Sequence, residues 1–126
     1  MKINIKDQEI ELIYCQRIYL KFEDLYHRTL TMDQLSSYSC IADLIYCAII
    51  SSIEHHSQRD KYVGFTLTRE DFDDWYDDDA TIITHDFTQW FMKEVQIQMD
   101  KLQKHIQEQE EQDKQENKSK KVDPKK

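Results

Sequence analysis

Glycine and proline are almost missing from this chain of 126 residues: Gly64 is the only glycine and Pro124 the only proline. Strand-rich domains need several such residues at turns and bulges, so their scarcity argues for helices joined by polar connections. It also excludes the glycine-rich phosphate loops of dinucleotide-binding and P-loop proteins, each of which needs several glycines close together. Cysteine is scarce as well. Cys15, Cys40 and Cys47 are odd in number, show no Cys-x-x-Cys spacing and sit among apolar neighbours, where cysteine serves as a small hydrophobe. The opening Met1-Lys2-Ile3-Asn4-Ile5 lacks the apolar core of a signal peptide. The longest apolar stretch, Ile41 to Ile53, is interrupted by Asp43 and two serines and is too short to span a bilayer. The expectation is a reduced, cytosolic protein without membrane contact.

Positive charge is also in deficit. Seventeen Lys and Arg face 25 Asp and Glu, for a formal net charge of -8. Such a surface repels phosphate backbones and speaks against ordinary nucleic-acid binding. A local basic patch, or an acidic face that imitates DNA on a basic protein, would be the exceptions. Apolar residues make up 39% of the chain and charged residues 33%, which suits one modest core with much solvated surface.

Along the chain, Ile3 and Ile5, then Ile10 and Leu12, alternate with polar residues, as a half-buried β-hairpin over residues 2–6 and 9–13 requires. The turn is expected at Asp7-Gln8. From Tyr14 to Arg28 the period lengthens, and Tyr14, Ile18, Phe22, Leu25 and Tyr26 form one helical stripe. Leu30 to Tyr38 reads as a connection with a helical turn near Met32 to Leu35. Ser39 to Ser57 is apolar around most of a helix and should be the central element, with His55 and His56 ending it in water. Residues 58–66 read as a polar loop.

Thr68 and Asp71 have N-cap and N3 spacing, and Leu67 and Phe72 that of a hydrophobic staple, so a helix starts there. Phe72, Trp75 and Tyr76 should face inward and Asp73, Asp74, Asp77 and Asp78 outward. A last helix is expected from Ile82 to near Gln112, with the stripe Ile83, Phe87, Trp90, Phe91, Val95, Met99, Leu102 and Ile106. About thirty residues at ~1.5 Å each make a rod longer than a small domain is wide. Val95 to Ile106 has 4-3-4 spacing, which fits either pairing of two final helices into a homo-oligomer or packing on the body of the domain. The fold class is therefore α+β, an N-terminal antiparallel hairpin on about four helices. Residues 1–106 are expected as a single helical domain and 107–126 as a charged, largely disordered tail.

No constellation for catalysis stands out. Asp71 to Asp79 fails as a calcium loop, because Tyr76 and Ile82 stand where glycine and glutamate are needed. The run reads as a solvated helix face or as a contact surface for a basic partner. His27, His55, His56, His85 and His105 show no zinc spacing, and no serine lies on a nucleophile elbow. Neither a metal, a cofactor nor an enzyme activity is expected. Aromatics are the richest feature, and Trp75, Tyr76, Trp90 and Phe91, with Asp74 and Asp78, are the candidate partner-binding residues.

The order of these segments resembles the tail assembly chaperones of long-tailed bacteriophages and prophages. The resemblance covers Lys2 to Leu102. It is carried by the hairpin Lys2-Ile3-Asn4-Ile5-Lys6 and Glu9-Ile10-Glu11-Leu12-Ile13, and by the Ile18 to Leu25 helix with Phe22-Glu23. Asp43-Leu44-Ile45-Tyr46-Cys47-Ala48-Ile49-Ile50, Leu67-Thr68-Arg69-Glu70-Asp71-Phe72 and the final amphipathic helix complete it. It implies a cytoplasmic factor of the bacterial host cell, absent from the finished virion. Such a factor binds the tape measure protein and tail tube protein before the tube closes. It implies no catalytic residues. The alternative reading is an acidic inhibitor or DNA mimic that uses Asp71 to Asp79 against a basic partner.

Overall fold

The structure, a computed structural model, describes residues 1–57 and 64–122. An antiparallel hairpin, β1 (Lys2–Ile5) and β2 (Gln8–Glu11), is followed by α1 (Gln16–Tyr26), a 3-10 turn over Met32–Ser36, α2 (Tyr38–Ser57), α3 (Arg69–Asp78) and α4 (Ala80–Val122). This is the expected class, a hairpin with four helices. The chain divides into two compact units, Met1–Phe91 and Met92–Lys126.

The hairpin pairs Ile3 with Ile10 and Ile5 with Gln8, so the turn is Lys6-Asp7, one residue earlier than expected. Both turn residues are left-handed, with φ of 51° and 60°. Neither is glycine. Asp tolerates this region, and Lys6 is held in it by a long-range anchor, its ammonium donating to Thr66 O at 3.3 Å and Asp71 Oδ2 at 3.1 Å. The pairing continues one residue past the strands, and the chain then turns to α2 at Ile13. Leu12 N–H donates to Met1 O, and Ile13 N–H donates to Ser52 Oγ at 2.9 Å.

A two-stranded hairpin is marginal alone, and here helix side chains occupy its open backbone groups. Trp75 Nε1 donates to Asn4 O at 2.8 Å on the β1 side, and His56 Nε2 donates to Glu11 O at 3.0 Å on the β2 side. His56 is therefore buried, contrary to the expectation that the end of α2 lies in water. Buried there, its ring N–H gives a backbone carbonyl of the hairpin a donor. Ser52 works twice, accepting from Ile13 and donating to Ala48 O at 2.7 Å.

α1 buries Ile18 and Phe22 but leaves Leu25 exposed, so its inner stripe is narrower than the sequence suggests. The helix begins at Gln16, and Tyr14 precedes it as a half-buried ring against Tyr19 and Phe91. α1 ends at His27, left-handed with φ 54°, whose N–H donates to Glu23 O. α2 is the central element: Leu44, Ile45, Cys47, Ala48 and Ile49 are all buried, together with Cys40, Ile41 and Ile53. The polar loop expected over residues 58–66 lies largely outside the described residues.

α4 differs most from expectation. It starts at Ala80, two residues before the expected start, and is helical through Val122. Strong helix formers and opposite charges four apart, such as Lys104 with Glu108 and Glu110 with Lys114, support it without any apolar burial. Among the described residues of α4, Phe91 is the last that is buried, and the first compact unit ends there.

Two measurements check this core. Burial pushes the Cys47 thiol up to about 12 and raises that of Cys40, while Cys15 is partly accessible. A disulfide reagent should therefore modify Cys15 in the native chain and reach Cys40 and Cys47 only in denaturant. The two buried serines should separate in denaturant titrations. Ser52→Ala strands Ile13 N–H and should cost about 1–3 kcal/mol. Ser51→Ala removes a buried hydroxyl that has no partner among the described residues and should cost little or stabilise.

Candidate functional site

α3 carries much of the candidate site, and its first turn is fixed by reciprocal capping. Asp71 N–H donates to Thr68 Oγ1 at 3.1 Å, and Thr68 N–H donates to Asp71 Oδ2 at 3.2 Å. Asp71 also receives the Lys6 ammonium from the hairpin turn. Backbone donation from Thr68 and the Lys6 bond hold its carboxyl below the ordinary range.

Arg69, the next residue, spreads its guanidinium over three partners. Nε donates to Asp73 at 2.8 Å, and Nη1 donates to Asp43 at 3.0 Å and to Tyr26 Oη at 2.7 Å. Its plane lies 5.3 Å from the ring centres of both Tyr46 and Phe72. Arg28 approaches the second oxygen of Asp43 at 3.0 Å. One carboxylate of α2 thus gathers α3 and the end of α1. Phe72 is fully buried and stacks on Tyr76 at 5.4 Å.

With α3 set, its far end and the start of α4 form an open groove of about 300 Å³ beside β1. Met1 to Asn4 make one wall; Trp75, Asp78 and Asp79 make another; Ile82, Ile83 and Asp86 make the third. Ile82 is 61% exposed, an apolar side chain in a groove lined by three carboxylates and by Lys2, whose ammonium lies 3.6 Å from Glu9. Asp78, Asp79 and Asp86 have no ion-pair partner among the described residues, whereas Asp71 and Asp73 are paired with Lys6 and Arg69. The acidic run is therefore divided: its N-terminal half supports the fold and its C-terminal half faces solvent.

The candidate partner-binding residues scatter accordingly. Trp75 and Asp78 line the groove, and Asp74 is exposed on α3. Tyr76 is half-buried, with its hydroxyl against that of Thr84. Trp90 is half-buried and lies against Phe87 and Tyr14. Phe91 is a correction: it is buried, packed 5.6 Å from Phe87 and from Tyr14, and presents no ring to a partner. An aromatic at stripe spacing is retained by the core when rings from α1 and α4 meet there.

Ile82 and Asp86 were not among the sequence candidates, and Asp79 entered only as the end of the acidic run. A signal existed for Ile82, since it stands one position off the inward stripe that Ile83 begins. No His, Cys, Asp or Glu cluster able to hold a metal occurs among the described residues. Among those residues, too, no helix is long and apolar enough to cross a membrane. No family model, curated protein or solved structure matches the chain.

The capping carboxylate has a pH signature. Because folding depresses the Asp71 pKa, its contribution is present above the unfolded carboxylate value, about 3.9, and is lost as pH falls through the folded value. Asp71→Asn should lower the melting temperature at neutral pH. Its difference from the parent chain should shrink in melting curves taken progressively below about pH 4.

Proposed function

We propose that this chain is a phage tail assembly chaperone, a non-catalytic binding protein for tape measure and tail tube proteins before the tube closes. The groove beside β1 supports the reading most directly, because it places exposed Ile82 among unpaired carboxylates. A tape measure protein of this class is a long amphipathic helix that must be kept soluble. A helix bearing an apolar residue flanked by Lys or Arg suits such a groove: the apolar side chain covers Ile82 and Trp75, and its cations meet Asp78, Asp79 and Asp86. The segment order from Lys2 to Leu102 points to the same family. On this reading the protein acts in the host cytoplasm and is left out of the virion.

One observation favours the second reading, an acidic inhibitor or DNA mimic. Asp74, Asp77, Asp78 and Asp79 are all exposed, and none has an ion-pair partner among the described residues. The two readings differ in what carries the affinity.

Calorimetric titration with a tape measure helix fragment separates them. Ile82→Arg should weaken binding about tenfold or more, as loss of a buried aliphatic contact predicts, with an unchanged circular dichroism spectrum. Raising salt from about 0.1 to 1 M should weaken binding only a few-fold. Equal affinity of the variant would remove the groove from this role. Affinity that disappears in salt regardless of Ile82 would favour the acidic inhibitor.

A further inference from the structure

Beyond Phe91, the apolar residues Met92, Val95, Met99, Leu102 and Ile106 follow one another at steps of three, four, three and four on the continuous helix α4. These are the a and d positions of a heptad repeat. Met92 is 41% exposed, Met99 55%, Leu102 51% and Ile106 45%, with Val95 half-buried between them; Ile97, also exposed, stands alone on the opposite side. Single exposed apolar residues are ordinary on a protein surface, but a contiguous stripe marks an interaction face.

The flanks of the stripe show what fits it. The positions bordering it are Gln96, Gln98, Gln103 and His105, with Glu110 only at its C-terminal end, although the chain as a whole carries a net charge of -8. Charges such as Lys93, Asp100, Lys101 and Lys104 stand on the outer positions, where Asp100 accepts a 2.9 Å bond from Gln96 within the same helix. In an acidic protein, uncharged flanks let a second copy approach without like-charge repulsion. A basic partner would instead be expected to select acidic flanks.

Orientation follows from the far end of the stripe. After Ile106 the same heptad positions hold Gln109, Asp113 and Glu116. Parallel pairing in register would set Asp113 against Asp113 and Glu116 against Glu116 on the axis, which like charges oppose. Antiparallel pairing avoids this. With Met99 opposite Leu102 of the second copy, Val95 falls opposite Ile106 and Met92 opposite Gln109, each contact occurring twice by two-fold symmetry. Gln98 then lies beside His105 and Gln96 beside Gln103, with no like-charge pair along either flank.

We propose that Met92 to Gln109 of α4 is a self-association surface, on which two copies of this chain pair as an antiparallel two-helix coiled coil. The seam spans about two heptads, fewer than the three or four of an independently recognisable coiled coil, so the pairing is reversible and depends on concentration. It uses residues distinct from the groove beside β1 and does not rest on the function proposed for that groove.

Sedimentation equilibrium of the full chain tests it. The weight-average mass should climb from 15.3 kDa toward twice that value as concentration rises. Leu102→Glu, at an exposed site, should weaken association about tenfold or more while leaving helix content and melting temperature unchanged. Orientation is read by oxidation in a Cys15→Ser background. Met99→Cys mixed with Leu102→Cys should form the mixed disulfide in preference to either homodisulfide. A mass of 15.3 kDa at every concentration overturns the proposal. So does association that Leu102→Glu and Ile106→Glu both leave intact, or a Leu102→Cys homodisulfide that predominates.

Discussion

Asp43 accepts hydrogen bonds from two arginines that belong to different parts of the chain, Arg28 just past α1 and Arg69 at the start of α3. Its side chain is largely buried at the edge of α2, the element with the most complete apolar cover. A carboxylate in that position is tolerable only when its charge is met and its lone pairs are used. Two guanidinium groups do both. The same arginines lie over aromatic faces, Arg28 over Phe22 and Arg69 over Tyr46 and Phe72, so the polar junction is continuous with the packed rings. The junction ties the start of α3 to α2 and to the end of α1. The position of α3 in turn decides where Trp75 meets β1 and where the acidic end of the helix emerges.

The hairpin obeys a related constraint. Two strands satisfy only half of their backbone groups, and the remainder must find donors and acceptors elsewhere. Trp75, His56 and Ser52 supply them from α3 and α2. This explains why a chain with a single glycine can still make a tight left-handed turn at Lys6-Asp7. The cost of two L residues at positive φ, roughly 1–2 kcal/mol each, is borne by contacts outside the turn.

Two surfaces remain uncovered within the chain's own units, and they differ in chemistry. The groove beside β1 mixes one exposed isoleucine with unpaired carboxylates and suits a partner that is both apolar and basic. The stripe on α4 is apolar with neutral flanks and suits an identical helix.

Much of the architecture was legible in the residues. Alternation in Ile3, Ile5, Ile10 and Leu12 specified the hairpin, and Thr68 with Asp71 specified the start of α3, because period-two exposure and N-terminal capping are local physics. The high apolar content of Ser39 to Ser57 marked the central helix for the same reason. Tertiary structure alone decided the rest. The hairpin turn moved to Lys6-Asp7 because Lys6 finds Thr66 and Asp71, some sixty residues away. Phe91 went into the core while Ile82 stayed out, since the rings of α1 meet one face of α4 and leave the other open. His56 was drawn inside by a single carbonyl on β2. Periodicity says which side chains share a face, but it does not say which face another element will cover. That depends on contacts between residues far apart in the chain.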